Sequence, residues 1–141
     1  VWDERKGLDD FIKLLDLLDR QYQIVLIGLS DRQLKKMPDN VIGIKRTDSV
    51  TELAQWYTTA DVFLNLTYED NYPTVNLEAQ ACGTPCITYR TGGSVESVPE
   101  ENIVDAGDIS TIKSMLTNSQ LSISDNDLSL NTAIGDYISV Y

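Results

Sequence analysis

Histidine is absent from the sequence, and cysteine occurs only twice, at Cys82 and Cys86. Without histidine, no Ser-His-Asp or Cys-His catalytic arrangement can form within these residues. A structural zinc site needs about four ligands, usually cysteine or histidine, so the composition also argues against zinc. We expect both cysteines to be small, buried and reduced, which is typical of a reducing compartment.

Basic side chains and long apolar runs are scarce as well. The chain has 22 acidic and 11 basic side chains, which gives a formal net charge of −11. A surface this negative repels a phosphate backbone and anionic lipid headgroups, so we expect no nucleic-acid partner and no lipid contact through these residues. No apolar run approaches the roughly 20 residues that a membrane-spanning helix needs.

The length of 141 residues fits one domain with a sizeable core. Residues 1–7 have no secretory signal and look like the middle of an element, which predicts a fragment whose first strand is truncated. The stretch 118–126 is the most linker-like part of the chain. We therefore predict one domain over residues 1–118 and a linker with a C-terminal helix over residues 119–141.

Apolar runs alternate with stretches of helical spacing along the chain. Strands are predicted at 23–28, 40–45, 62–66, 86–89 and 103–106, and helices at 8–20, 31–37, 51–60, 73–82, 94–99 and 109–116. This alternation predicts an α/β fold, a doubly wound Rossmann-like parallel sheet with helices on both faces. Ligands in such sheets bind beyond the carboxyl ends of the strands, where the turns at Gly28, Thr67 and 90–93 fall.

A predicted helix begins near Pro73, after an acidic loop. Proline suits the first turn of a helix, and Asn71 or Tyr72 is then the N-cap. The N–H groups that follow Pro73 carry partial positive charge and can bind a phosphate. An ordinary capped helix after a strand is the alternative.

Four charged residues, at this helix or in turns before it, can each be interpreted in two ways. Glu78 lies in an otherwise apolar segment, so it needs partners, either ribose hydroxyls or an internal lysine or arginine. Asp70 and its neighbour Glu69 are either sugar ligands or solvated loop charges. Lys6, just before Gly7 and a helix, is either a diphosphate ligand or a surface lysine.

The ordered set of motifs is more specific than any one of them. The chain contains K-G, a strand ending I-G, E-L-A-Q-W-Y-x-x-A-D-V-F-L, E-D-N-Y-P-T-V-N-L-E-A-Q-A-C-G-T-P-C-I and T-G-G-S-V-E. In this order they closely resemble the nucleotide-sugar-binding domain of the group 1 glycosyltransferases. These are retaining enzymes of the GT-B fold, also called glycosyltransferase family four. The resemblance covers Val1 to about Gly107.

The resemblance implies roles for both acids of the family's signature, a Glu, seven residues and a second Glu. The second acid is Glu78, expected to accept from the ribose hydroxyls. The first is Asp70, a shorter carboxylate, with Glu69 as a possible substitute; that position contacts the transferred sugar. The backbone amides that hold the sugar and the diphosphate fall on Tyr72, Thr74 and Val75.

The family's diphosphate clamp is an arginine followed five positions later by a lysine. Here the lysine is Lys6, while Val1 occupies the arginine position, a departure for which Arg5 is the candidate replacement. The loop with Arg46 and Thr47 occupies the place where family members contact the base. The resemblance makes Asp70 and Lys6 the catalytic residues, with no metal ion or cofactor. The expected donor-binding set is Arg5, Lys6, Gly28, Arg46, Thr47, Glu69, Asp70, Asn71, Tyr72, Pro73, Thr74, Val75 and Glu78.

The resemblance thus implies the donor-binding half of a retaining glycosyltransferase that uses a UDP- or GDP-linked sugar and a glycan or lipid-linked acceptor. The acceptor pocket, and any membrane contact, would belong to an N-terminal domain of the same protein, acting in the cytoplasm. A GT-B sugar-nucleotide epimerase is the enzymatic alternative, but it needs acid/base groups that these residues do not display. The other alternative is a doubly wound regulatory module, whose acidic cluster after the first strand is missing at 28–30.

Overall fold

The computed structural model describes residues 2, 4–19, 21–69 and 73–118. Val1, Asp70, Asn71, Tyr72 and the predicted linker and helix at 119–141 lie outside the described residues. Within them the α-helices are Leu8–Leu17 (α1), Asp31–Lys36 (α2), Val50–Thr59 (α3), Thr74–Ala81 (α4) and Ile109–Asn118 (α5). The strands are Ile24–Ile27 (β1), Val41–Ile44 (β2), Phe63–Asn65 (β3), Cys86–Tyr89 (β4) and Ile103–Val104 (β5).

Local sequence signals account for most of these boundaries. Helix α2 begins with a capping box, in which the Ser30 hydroxyl accepts from the Gln33 N–H and the Gln33 side chain accepts from the Ser30 N–H. The Ser49 hydroxyl caps α3 in the same way by accepting from the Glu52 N–H. The helix expected at 94–99 is instead a 3₁₀-helix over Gly92–Glu96, because the two glycines allow the chain to turn earlier.

All the strand pairs are parallel, which confirms the predicted α/β class. Among the described residues the hydrogen bonds divide the strands into two sheets, β1-β2 and β3-β4-β5, where one sheet was predicted. Residues Ile24–Ile27 pair in register with Val41–Ile44, and Phe63–Asn65 with residues 86–88. The division lies between β1 and β3.

One apolar core nevertheless joins the two sheets. Side chains from both sheets and from helices α1 and α5 are buried together; they include Leu14, Leu26, Leu66, Ile87 and Ile112. A smaller cluster of Cys86, Val98 and Ile103 lies with the partly buried Phe63 and Val95. No helix in the described part of the chain is long and apolar enough to cross a membrane.

Candidate functional site

The Lys6-Gly7 pair places a basic turn directly against the end of β3. Gly7 has a φ of 77°, and a Cβ atom there would lie 2.2 Å from the carbonyl oxygen of Leu66. Only glycine permits both this left-handed backbone and such a close approach. The sequence K-G therefore brings the residues before α1 to the carboxyl end of β3.

Backbone hydrogen bonds fix this turn, the 3₁₀-helix Glu4–Lys6. The carbonyl oxygen of Arg5 accepts from the Tyr68 N–H at 2.7 Å and from the Thr67 hydroxyl at 3.1 Å. The side chains of Arg5 and Lys6 are both exposed. Two cations are thus carried at the loop that leads from β3 to the acidic stretch 69–70.

Helix α4 begins one residue later than the predicted helix. Pro73 is not in the first turn but is itself the N-cap, with an extended ψ of 97°, and Thr74 is the first helical residue. The Asn76 N–H donates to the Pro73 carbonyl at 3.1 Å, so this amide is used inside the helix. The Asn71 or Tyr72 N-cap was therefore wrong, and Thr74 and Val75 remain as the candidate anion-binding amides.

Buried amide side chains fix the direction of α4. Asn76 accepts from the Asn65 side chain at 2.9 Å and donates to the Ser97 hydroxyl at 3.0 Å. Gln80, one turn further along, donates to the Ser97 carbonyl at 2.7 Å. These bonds join α4 to the end of β3 and to the turn after β4. The helix start is consequently held at the carboxyl edge of the strands, here called the rim, together with the Arg5–Lys6 turn.

Glu78 lies inside this framework and is 2% exposed. The hydroxyl of Tyr57, on α3, donates to its Oε2 atom at 3.4 Å. Glu78 therefore has an internal hydrogen-bond donor that is neither lysine nor arginine. Thr74, four residues earlier on the same face, is exposed.

The loop after β4 closes the rim. The Thr91 hydroxyl donates to the Thr67 carbonyl at 2.9 Å, which ties the T-G-G turn to the loop that receives the Arg5 carbonyl. Gly92 has a φ of 49°, as expected for a glycine that permits a tight turn. The structure thus brings together the turns at 5–7, 67–69 and 91–93.

The other predicted residues lie along the same edge but farther away. Gly28, with a φ of 101°, follows β1 and faces the Trp2 indole, whose Nε1 atom donates to the Ile27 carbonyl at 2.8 Å. Arg46 is exposed and Thr47 is half-buried, both after β2. Strand β1 therefore lies between this loop and the Arg5–Lys6 turn.

A buried aspartate with two tyrosine partners, the Asp10 cluster, had not been predicted. Asp10, 6% exposed, accepts hydrogen bonds from the hydroxyls of Tyr68 and Tyr89, the latter at 2.7 Å. Burial and the bond to Asp10 raise the pKa of Tyr89 far above its usual range, and the bond to Asp10, followed by burial, raises the pKa of Tyr68.

The cysteines are free thiols, Cys82 half-buried and Cys86 buried. Burial raises the pKa of both, so they are poor nucleophiles. Among the described residues, no group of three or more cysteine or acidic side chains is placed to hold a metal ion.

Sequence reasoning missed the polar residues that support the site. Asn76 and Gln80 recur at four-residue spacing within the apolar segment V-N-L-E-A-Q-A, which marks a buried polar helix face. This spacing could have predicted both residues from the sequence. Thr67 and Thr91 carry no comparable local pattern, because their partners are distant in sequence.

Known proteins are similar to this chain in sequence. The family model described as "Glycosyl transferases group 1" matches residues 1–118. The D-inositol 3-phosphate glycosyltransferase of Arthrobacter sp. (strain FB24) is 37% identical over 83 residues, 54% of this chain and 20% of that protein. A second such enzyme, from Catenulispora acidiphila, is 40% identical over 62 residues, 44% of this chain and 14% of that protein. The matched part is thus about a fifth or less of the length of these relatives.

Solved structures share the fold. Sucrose-phosphate synthase from Thermosynechococcus elongatus superposes with a TM-score of 0.73 at 24% identity, over 98% of this chain and 41% of its own. Anabaena HepE in complex with UDP-glucose superposes with a TM-score of 0.72 at 16% identity, over 99% of this chain and 47% of its own. The chain therefore corresponds to less than half of each of these GT-B structures. Because the family model covers most of its length, the chain belongs to the group 1 glycosyltransferases.

Proposed function

We propose that these residues form the donor-binding part of a retaining glycosyltransferase. The donor is a UDP- or GDP-linked sugar, and the acceptor is a glycan or a lipid-linked glycan. Family membership and the UDP-glucose bound to the structurally similar HepE support a nucleotide-sugar donor.

One observation carries the proposal, namely that an exposed lysine and helix α4 are each held at the carboxyl end of β3, by the Gly7 contact with Leu66 and by the Asn65–Asn76 hydrogen bond. Gly7 packs on Leu66, and the Arg5 carbonyl is bound by Thr67 and Tyr68. Ligands in parallel α/β sheets bind at this edge. A diphosphate here lies between a cation and a helix N-terminus, both of which attract negative charge.

The chemistry follows from this placement. When the bond between sugar and diphosphate breaks, negative charge develops on the departing phosphate oxygens. Lys6 and the Thr74 and Val75 amides stabilise that charge without reorganising, and such electrostatic stabilisation is often the largest catalytic contribution. The reaction then needs no enzyme nucleophile and no metal ion, and the acceptor attacks the face that the diphosphate leaves, with retention.

The remaining donor contacts are distributed around this centre. Asp70, with Glu69 beside it, contacts the hydroxyls of the transferred sugar, and Glu78 accepts from the ribose hydroxyls. Arg46 and Thr47 contact the base. Carboxylates suit these roles because hydrogen bonds from hydroxyls to a charged acceptor are about twice as strong as neutral ones.

The whole protein needs more than these residues. The matched part of the first relatives is about a fifth or less of their length, and the acceptor pocket belongs to a further domain of the same polypeptide. We place the reaction in the cytoplasm, with any membrane contact made by that other domain. The net charge of −11 disfavours lipid contact here.

Calorimetry on the full-length polypeptide tests the phosphate role of Lys6. Lys6→Ala should weaken UDP or GDP binding by about 1.5–3 kcal/mol, the contribution of one hydrogen bond to a charged group. An unchanged dissociation constant would remove Lys6 from the site.

Lys13→Ala is the matched control, since Lys13 is also exposed but lies within α1. This variant loses the same charge and should bind within about a factor of two of the unmodified protein, because an exposed charge that does not contact the ligand is weakened by salt. Equal losses in both variants would indicate a general charge effect rather than a phosphate site.

A further inference from the structure

Tyr68 is hydrogen-bonded to the chain on both sides of the Lys6-Gly7 turn. Its N–H donates to the carbonyl oxygen of Arg5 at 2.7 Å, just before the turn. Its hydroxyl donates to the Oδ2 atom of Asp10, which lies in the first turn of α1, just after it. The loop after β3 therefore holds this turn at two points, once through the backbone and once through a side chain.

The side-chain contact orients a tyrosine that is otherwise open to solvent. Tyr68 is 40% exposed, whereas its acceptor Asp10 is 6% exposed. The Tyr89 hydroxyl donates to the same Oδ2 atom at 2.7 Å, and the two tyrosine rings are in T-shaped contact with their centroids 5.3 Å apart. A hydrogen bond to a charged acceptor is about twice as strong as a neutral one. The Asp10 cluster thus holds Tyr68 in one orientation, although water could reach its ring.

The loop transmits this fixed geometry to the acidic residue that follows. The Thr67 hydroxyl lies 3.1 Å from the carbonyl oxygen of Arg5 and 2.9 Å from that of Glu69, and it donates to both. The Thr67 carbonyl in turn accepts from the Thr91 hydroxyl at 2.9 Å. The Glu69 side chain is exposed. The backbone at Glu69 is therefore held relative to Arg5, while its carboxylate stays accessible to a ligand.

We propose that Tyr68 and Asp10 are positioning residues of the donor site, which fix the acidic loop that begins at Glu69 relative to Lys6. This inference rests on the proposed function, in which Lys6 binds the diphosphate and the acidic loop contacts the transferred sugar. The diphosphate and the sugar are adjacent parts of one ligand, so the spacing of the groups that bind them must match it. A displacement of about 1 Å can lower a catalytic rate about 100-fold.

A purely stabilising role of the Asp10 cluster is the alternative, and Tyr89 provides the comparison. Tyr89 donates to the same carboxylate oxygen but is fully buried in β4, outside the loop. Tyr68→Phe and Tyr89→Phe each remove one hydroxyl bond to Asp10 and keep the aromatic ring. If the cluster only stabilises the fold, both variants should affect the donor site alike. If it positions the loop, only Tyr68→Phe should do so.

Amide hydrogen exchange on the full-length polypeptide tests the positioning without any ligand. The amides of β2, in the other sheet, are the internal reference. Relative to them, we expect the amide at position 68 to exchange at least about 10-fold faster in Tyr68→Phe, because a bond to a charged group no longer opposes local opening. In Tyr89→Phe its relative rate should change less. Equal relative rates in Tyr68→Phe and the unmodified protein would overturn the proposal.

Calorimetry on the same full-length proteins tests the effect on the donor site. The ligands are UDP-glucose and UDP, or GDP-glucose and GDP if only those bind. We expect Tyr68→Phe to lower the preference for the sugar-nucleotide over the nucleoside diphosphate by about 10-fold, because the loop that contacts the sugar is displaced. Tyr89→Phe should keep this preference within about twofold of the unmodified value. An unchanged preference in Tyr68→Phe, or equal losses in both variants, would overturn the proposal.

A double-mutant cycle tests whether Asp10 acts through Tyr68. Asp10→Asn should lower the preference by at least about 3-fold in the unmodified background, since a neutral amide binds the Tyr68 hydroxyl less strongly than a carboxylate does. In the Tyr68→Phe background the same substitution should cause no further loss, because that hydroxyl is already absent. Equal effects in the two backgrounds, including no effect in either, would remove Asp10 from the positioning role.

These measurements distinguish failure of this inference from failure of the proposed function. If the unmodified full-length protein binds none of the four ligands, the proposed donor site is wrong and the positioning role is overturned with it. If it binds them and Tyr68→Phe keeps the same preference, the donor site remains and Tyr68 has no part in positioning it.

Discussion

Glu78 is the residue whose proposed role and observed surroundings are most closely linked. Its side chain is 2% exposed and accepts from Tyr57, while Thr74, one turn earlier, is exposed at the helix start. A carboxylate this buried must have hydrogen-bond donors. A ribose placed over the helix start could add further donors to the Tyr57 hydroxyl.

We expect Glu78→Ala to weaken nucleoside diphosphate binding by the full-length protein. The loss should be about 1.5–3 kcal/mol for each hydrogen bond to the carboxylate. A 2′,3′-dideoxyribose analogue should bind both proteins alike, because it lacks the hydroxyl donors. Calorimetry with both ligands measures the difference. If the variant still prefers the natural ligand as strongly, the ribose role is wrong.

Tyr57→Phe is the control for that experiment. It removes an internal donor to Glu78 while keeping the T-shaped contact of this ring with Phe63. Nucleotide binding should change by less than about 1 kcal/mol, because only an internal neutral donor is lost. A loss equal to that of Glu78→Ala would mean that the carboxylate acts on structure alone.

The Asp10 cluster predicts a loss of stability at alkaline pH. Burial and the Asp10 bond raise the pKa of Tyr89, so the folded protein binds its phenolic proton more tightly than the unfolded chain does. The stabilisation is complete below the unfolded pKa of about 10 and declines as the pH rises above it. Urea unfolding of the purified protein at pH 8 and at pH 10.5 should show the fall, and Tyr89→Phe should reduce it. An equal fall in the variant would assign the effect to other groups.

At the scale of elements, the contact between the start of α1 and the end of β3 depends on the absence of a side chain at Gly7. Gly7→Ala must adopt a left-handed backbone, which costs about 1–2 kcal/mol, and its Cβ would also meet the Leu66 carbonyl at 2.2 Å. We expect a total loss of more than about 2 kcal/mol in unfolding free energy, together with weaker nucleotide binding. Urea unfolding and calorimetry on the full-length protein measure the two effects.

The variant Gly83→Ala separates the cost of the left-handed backbone from the cost of the contact with Leu66. Gly83 has a φ of 85°, close to that of Gly7, but no atom lies within 4 Å of the position of its Cβ. This variant should lose only the backbone term of about 1–2 kcal/mol and keep its nucleotide affinity. Equal losses at both glycines would show that the contact with Leu66 contributes nothing.

The sequence predicted elements well where the signal is local. Strand β4 has the predicted bounds because C-I-T-Y is buried on both faces and follows Pro85. The start of α4 was displaced by one residue, since the allowed φ of proline does not decide whether its ψ is helical. The division of the sheet was not predicted, because it depends on which edges meet in space rather than on any one strand.

Within the site as well, local sequence signals predicted the structure and long-range contacts could not be predicted. The motifs identified the Lys6-Gly7 turn, and the structure brings it to the loop that leads to Asp70. Neither local pattern nor spacing could pair Asp10 with Tyr89, because the two are 79 residues apart. Long-range hydrogen bonds of this kind are set by the tertiary fold.

At the scale of the whole molecule, binding of the sugar-nucleotide donor should raise the thermal stability of the protein. A ligand that binds only the folded state at 100 times its dissociation constant stabilises it by about 2.7 kcal/mol. In a panel of UDP-, GDP- and ADP-sugars, we expect the full-length protein to show its largest thermal shift with a UDP- or GDP-sugar. Product analysis with that donor should show transfer that requires an acceptor. Conversion of the sugar-nucleotide without acceptor would favour an epimerase, and no shift with any member would contradict a nucleotide-sugar site.

The hydrogen bond from the Thr67 hydroxyl to the Arg5 carbonyl joins residues 62 positions apart in the sequence. Such a distant contact forms only after the intervening chain has closed its loop, and the entropy of closure delays it. The lysine therefore reaches the rim late in folding. The proposed phosphate site can form only after β3 and the residues that follow it have left the ribosome, so ligand affinity is itself a measure of completed folding.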